Sequence, residues 1–460
     1  MSGGMVASGP PSMPMPPGPA APGLVRDVGR WAMVALMING IIGAGIFGLP
    51  SRIHSLTGPY GLVAFVVCAV VVGCIGLCFA EVSSRFMDTG GPYLYTERAF
   101  GGRAGFLVGW LMWITRVTAL GLISNVMASY LSFFWPPAGS GWGRAAAMSA
   151  AMLALTAINL AGVRLAAGVG GVLAIAKLVP LFLFVGVGVF FIEPRRFAAP
   201  SPPDASSLSQ AVLQLIFAFG GFEAVVIAAG EARDPRRDVP FALLAALACV
   251  TLLYVLIQAV CIGTLPALAT SEKPLADAAR RFMGAPGASM VALGALVSTI
   301  GTLGASLLVG PRLLFAMAER SQMPRWLGST HARFHTPHRA ILVTGAVALA
   351  LSVSGTFTYL LGLNVIARLA TYLGTAGALV VFRRRERDRP ALFSVPAAGL
   401  VVPLALAACL WLLARSGTRE LRDASIAVGS GLVIHAAHRW WRARHPAPGP
   451  AELQGAAPPP

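Results

Sequence analysis

Twelve stretches of about twenty mainly apolar residues follow one another along this chain, near 31–50, 60–82, 104–135, 145–163, 168–192, 208–230, 240–265, 287–317, 340–356, 358–382, 396–414 and 424–441. Each is long enough for a helix to cross the hydrocarbon core of a bilayer. The pattern predicts an all-α polytopic membrane protein with about twelve transmembrane helices, the third and eighth long enough to tilt or protrude. Composition agrees. Of the 460 residues 56% are hydrophobic and 12% charged, with a mean hydropathy of +0.73, too apolar for a soluble protein of this size.

The net charge of +17 invites a nucleic-acid partner, but its distribution argues against one. When alternate loops are assigned to opposite sides, the side holding both termini carries about twice as many of the 35 Lys and Arg as the other. That asymmetry places the termini, and loops such as Arg233-Asp234-Pro235-Arg236-Arg237 and Arg383-Arg384-Arg385, in the cytoplasm of a bacterial-type inner membrane. Anionic lipid is then a sufficient partner for these charges. The 6 cysteines fall within apolar spans and show no Cys-x-x-Cys spacing, so neither a metal centre nor a disulfide framework is predicted. His331, His335 and His338 share a basic loop, where their spacing is read as chance. Residues 1–27 and 443–460 read as disordered cytoplasmic tails rich in proline, the first without the n-region and h-region of a signal peptide, and 28–442 as the membrane domain.

Two spans are interrupted. The first carries Gly40-Ile41-Ile42-Gly43-Ala44-Gly45-Ile46-Phe47-Gly48-Leu49-Pro50, and the sixth carries Phe217-Ala218-Phe219-Gly220-Gly221-Phe222-Glu223. A helix broken at membrane depth leaves backbone groups that must face protein, a water-filled cavity or a ligand. Paired breaks in two halves of a chain are the best sequence pointer to a secondary transporter's binding site. The restarting half of such a helix offers free amides and a positive dipole end, and the stopping half offers bare carbonyls. A zwitterion suits the gap: its carboxylate on the amides near Ala44, Gly45 and Ile46, its ammonium on carbonyls near Ile41, Phe217 and Gly220. On this reading Gly45→Leu abolishes binding without unfolding the protein.

The run Asn39 to Phe47 resembles the first-helix signature of the amino acid–polyamine–organocation permeases. Further stretches agree in order: Ala80-Glu81-Val82-Ser83-Ser84-Arg85-Phe86 with Gly90-Gly91-Pro92-Tyr93-Leu94-Tyr95, Phe217 to Pro240, Gly310-Pro311-Arg312-Leu313-Leu314-Phe315, and Ala367-Arg368-Leu369-Ala370-Thr371-Tyr372. The resemblance covers about residues 28–440. It implies two inverted repeats of five helices, about 31–192 and 208–382, and two additional helices at about 396–441, which often mediate dimers in this fold. It also implies that an amino acid lies between the broken first and sixth helices, held by peptide groups at Ile41, Ala44, Gly45, Phe217 and Gly220. Gly43, Ile46 and Phe222 complete the expected binding set, with Phe219 or Phe222 as aromatic gates.

Lys177, Glu223, Arg116 and Arg368 lie deep within spans, where an ionisable residue is a functional candidate by default. Lys177 matches, by resemblance, a fifth-helix lysine that takes the place of a sodium ion in sodium-independent members, and release and uptake of its proton can be linked to opening. Glu223, directly after the second break, is a second proton-coupling candidate, and equally a structural partner for Arg116 or a hydrogen-bond acceptor that stabilises the break. Arg116 itself is read as an ion pair with Glu223, a tie between helices, or a contact for an anionic substrate; Arg368 is read as structural. Glu81 and the cluster Glu231 to Asp238 sit at cytoplasmic helix ends, where capping or exposed pairs are expected, with a lock on the cytoplasmic gate as the alternative.

No phosphate-binding loop and no nucleophile triad or zinc-hydrolase motif is found, so no enzyme and no cofactor is predicted. The expectation is a secondary active transporter working by alternating access, proton-coupled and sodium-independent, with an amino acid/amine or amino acid/amino acid exchanger as the alternative and a non-transporting sensor behind both. Trp113, Arg116, Phe219, Phe222, Glu223, Ser306 and Thr371 are the pocket and gate candidates. Their mix favours a neutral amino acid, an acidic one if Arg116 faces the cavity, and a basic one if Glu223 does.

Overall fold

The first expected span is cut in two. Helix α1 (Arg30–Ile41) stops where the backbone turns extended at Ile42 (φ −72°, ψ 97°), and α2 (Gly45–Thr57) restarts three residues on. The computed structural model describes residues 29–86, 91–162, 177–198, 201–223, 233–385 and 391–444. The tail at 1–27 and all but the first two residues of the tail at 443–460 lie outside the described residues, as do the start of the fifth stretch and the end of the sixth. With 12 residues, α1 rises only about 18 Å, so it reaches partway into a bilayer.

The chain continues through α3 (Gly61–Ser83), α4 (Gly91–Phe100), α5 (Gly102–Leu131), α6 (Gly141–Ala161), α7 (Leu178–Gly188) and α8 (Ala205–Ala218). It ends with α9 (Pro235–Thr264), α10 (Pro274–Glu319), α11 (His338–Ser354), α12 (Phe357–Arg385), α13 (Ala398–Ala414) and α14 (Thr418–Arg444). Among the described residues the regular elements are all helical. Six helical segments are individually long and apolar enough to span, α2 counting with α3; α13 and α14 qualify together across a 110° bend, and α1, α7, α8 and α11 are shorter apolar helices. This is an all-α multi-pass membrane protein, as the apolar stretches predict.

Helix ends follow their sequences. The Asp204 side chain accepts from the Ser207 amide (3.4 Å) and caps α8. Pro235 opens α9, and Asp238 reaches back to the Asp234 amide (3.1 Å). Arg30 lies 3.7 Å from Asp238, and Trp31 meets Phe241 edge-on, so the start of α1 is tied to α9. The eighth stretch begins as a separate helix, because α10 breaks at Gly284 (φ 69°).

Helix α5 organises the interior, packing on α4, α10, α11 and α12. Its apolar window is 83% buried, against 22% for α6, so α5 is a core helix and α6 presents most of its surface outward. Glu81 corrects an expectation. Rather than an exposed helix-end pair it is buried, accepting from Arg85 (3.2 Å), Arg383 and the Val395 amide (2.7 Å), so it joins α3, α12 and the segment before α13.

Candidate functional site

The first break leaves backbone groups free in both directions. The Ile42 amide closes α1 on Ile38, and the amides of Phe47 and Gly48 both bond the Ala44 carbonyl. The amides of Gly43, Ala44, Gly45 and Ile46 find no acceptor among the described residues. They form the positive N-terminal end of α2, a natural anion site. On the α1 side Lys177 Nζ donates to the carbonyls of Asn39 (2.7 Å) and Ile42 (2.5 Å). The lysine is 5% exposed, so its ammonium replaces solvent for two carbonyls the broken helix cannot use.

The second break is filled by protein. Helix α8 ends at Ala218, and the chain turns through Gly221 at φ 118°. The Gly221 amide donates to Glu223 Oε2 (2.8 Å), and Glu223 Oε1 accepts from Arg368 Nη1 (3.0 Å). A Cβ on Gly220 would stand 1.5 Å from Arg368 Nη1, and one on Gly221 would stand 2.2 Å from the Gly40 carbonyl oxygen. The breaks also touch each other: a Cβ on Gly45 would lie 2.7 Å from Ala218 Cα, and Tyr254 Oη sits 3.3 Å from the carbonyl oxygens of both Ile41 and Ala218.

A cavity of about 180 Å³ opens between them. Ile41, Gly43, Ala44, Gly45, Phe217, Gly220, Arg116 and Ser306 line it, together with Thr302, Ile123, Val309 and Arg368. It is smaller than the several hundred Å³ typical of drug-sized sites, which suits a small solute.

Seven expected site residues do not line it. Ile46 is buried behind it in the core. Phe219 packs with Phe65 and Tyr254, and Phe222 with Phe79 and Tyr372; both rings are fully buried in aromatic clusters, and neither lines the cavity. Trp113 donates to Thr344 Oγ1 (3.1 Å), toward α11, because α5 is enclosed by several helices and a buried position on it need not face the cavity. Thr371 and Glu223 line a small neighbouring void that shares Arg116 and Arg368 with the cavity, and Lys177 lies at the break itself.

Two further corrections follow. Glu223 is ion-paired with Arg368 rather than with Arg116. Gly45 serves contact between α2 and α8, so Gly45→Leu would disturb that packing before it tested any ligand. Thr302 and Tyr254 were missed. Thr302 stands one helical turn before Ser306 on α10, and the Thr302, Ser306, Val309 spacing is a one-face signal; Tyr254 carries no such signal.

Helices broken in pairs around a central cavity, within an all-α multi-pass protein, define the architecture of a membrane permease. The amino acid permease family model matches residues 28–434, and the chain belongs to that family. It is similar to the methylthioribose transporter of Bacillus subtilis (strain 168), 27% identical over 409 residues, with 85% of this chain and 88% of that protein covered. A serine/threonine exchanger of the same organism is 28% identical, with coverage of 89% and 95%. Its branched-chain amino acid permease is 26% identical, with coverage of 90% and 92%. The family and these relatives are transporters, and the substrate class they share most is the amino acid.

Proposed function

We propose that this protein is a secondary active transporter that carries an amino acid across the inner membrane by alternating access, with both termini cytoplasmic. The observation that carries the reading is the row of amides at the start of α2, Gly43 to Ile46, unpartnered among the described residues, of which Gly43, Ala44 and Gly45 belong to residues lining the cavity between the breaks. They suit the α-carboxylate, and break carbonyls suit the α-ammonium, with the Gly40 and Ile41 peptides at the cavity wall. Lys177, donating to Asn39 and Ile42, supplies a fixed cation where a sodium ion would otherwise balance those carbonyls, which supports sodium-independent, proton-coupled transport.

A second reading, exchange of one amino acid for another, is favoured by the relative named as a serine/threonine exchanger. On the side chain the lines of support diverge. Two of the relatives are named for neutral substrates, whereas Arg116 faces the cavity, the condition set for an acidic one.

The test is uptake into proteoliposomes after a thermal-stabilisation screen of the twenty amino acids and their decarboxylated amines, since a ligand of the folded state raises apparent stability. Accumulation driven by a pH gradient in sodium-free buffer is expected, and Lys177→Ala should abolish it. A strict sodium requirement would overturn the coupling. Uptake only from vesicles preloaded with an amino acid would replace symport by exchange.

A further inference from the structure

Arg116 is a charge that a simple zwitterion does not need. It stands midway along α5 and lines the cavity with Gly43 and Ser306. Among the described residues its guanidinium has no hydrogen bond and no ion pair. An arginine at membrane depth is costly without a counter-charge, and it stays protonated.

Among the described residues no carboxylate pairs with it. Glu223, whose field reaches Arg116, is already engaged at both oxygens, by Arg368 at 3.0 Å and by the Gly221 amide at 2.8 Å. No aspartate or glutamate is among the residues lining the cavity. Lys177 is held by the Asn39 and Ile42 carbonyls. With Arg368 and Glu223 paired and Lys177 set away from the cavity lining, Arg116 is the positive charge on the cavity wall that has no ion-pair partner among the described residues.

An α-carboxylate and an α-ammonium cancel as well, each served by a helix end. What remains to be matched is a third ionised group of negative sign. We propose that Arg116 selects amino acids with an anionic side chain, of the aspartate and glutamate class, by pairing its planar fork with the side-chain carboxylate. The apolar wall at Ile123 and Val309 would then flank the substrate's methylenes. This rests on the reading that an amino acid occupies the breaks.

The test compares glutamate with glutamine, and aspartate with asparagine, on the purified full-length protein by calorimetry. Members of each pair share size and α-groups and differ by one charge. The acids are expected to bind at least about tenfold tighter than their amides, the scale of a hydrogen bond to a charged group. Arg116→Gln should close that gap while amide binding persists, and Arg116→Lys should restore part of it. Equal or tighter binding of the amides by the unmodified protein overturns the proposal and leaves the amino acid reading intact, whether or not the variants fold. Stabilisation by chloride alone, with no preference within either pair, overturns it in favour of an inorganic anion. Silence toward every amino acid overturns both.

Discussion

The two breaks use glycine for opposite ends. At the first, an added Cβ on Gly43 would meet only ordinary contact, the nearest atom being Thr302 Cγ2 at 3.5 Å, and Gly43, Ala44 and Gly45 line the cavity. At the second, Gly220 lies under the Arg368 guanidinium and Gly221 against the Gly40 carbonyl, and Glu223 takes the free amide. Both breaks border the cavity, but one leaves its amides unpartnered among the described residues, whereas at the other the protein's own charged side chains take up the free groups. Similar glycine-rich strings therefore do not imply similar roles; what packs opposite decides.

The sharpest way to break this comparison is Gly221→Ala. A side chain at φ 118° is strained by about 1–3 kcal/mol, and the clash with Gly40 pushes the two breaks apart. The expected outcome is failure to yield a folded, monodisperse protein in detergent. A variant that purifies with an unchanged melting temperature would show that the second break is not sealed in this way.

Next in size is the ion pair. Glu223→Gln leaves Arg368 buried without its counter-charge, and breaking a buried pair costs about 3–5 kcal/mol. Thermal unfolding should fall steeply for Glu223→Gln and for Arg368→Met taken singly. The double variant should lose less than their sum, a coupling read from the double-mutant cycle. Additive losses would mean that the pair does not act as a unit.

Much of this was legible in the sequence. The length and apolarity of the stretches fixed the all-helical membrane architecture, and glycine clusters marked both breaks, because few other residues permit a stop at that depth. The depth of Lys177 singled it out, and the structure puts its ammonium on the Asn39 and Ile42 carbonyls. Which face of a core helix meets the cavity was not legible. Helix α5 is apolar nearly all round, so its periodicity carries no direction, and Trp113 and Arg116, three residues apart, go to different neighbours. Phe219 and Phe222 read as gates because they flank a break, yet each completes an aromatic cluster contributed by distant helices. For Glu223 the reading as an acceptor at the break agrees with its bond from the Gly221 amide, whereas the pairing with Arg116 does not: two arginines lie at membrane depth, and only the fold says which one reaches it.

A smaller effect is expected at Gly45, which belongs to the first string but faces α8. An added methyl meets Ala218 Cα at 2.7 Å, and forcing one methyl into packed surroundings costs about 1–3 kcal/mol. Gly45→Ala should therefore lower the melting temperature and weaken binding together. Lost binding at full stability would instead return Gly45 to the ligand.

Gly43→Ala is the smallest perturbation to the fold and the most informative about the site. Its backbone is not in the left-handed region, and the 3.5 Å approach to Thr302 is ordinary contact, so stability should stay within about 0.5 kcal/mol. The same methyl projects toward the cavity beside the unpartnered amides, where it takes space from a bound carboxylate. Affinity should drop by about tenfold, the low end of what an unwanted methyl costs in a close-fitted site, and Gly43→Val should abolish binding in a protein that still unfolds cooperatively. If both variants bind like the unmodified protein, the substrate does not touch the first break. The open break would then be open for another reason, and the contrast with the sealed one would no longer mark the site.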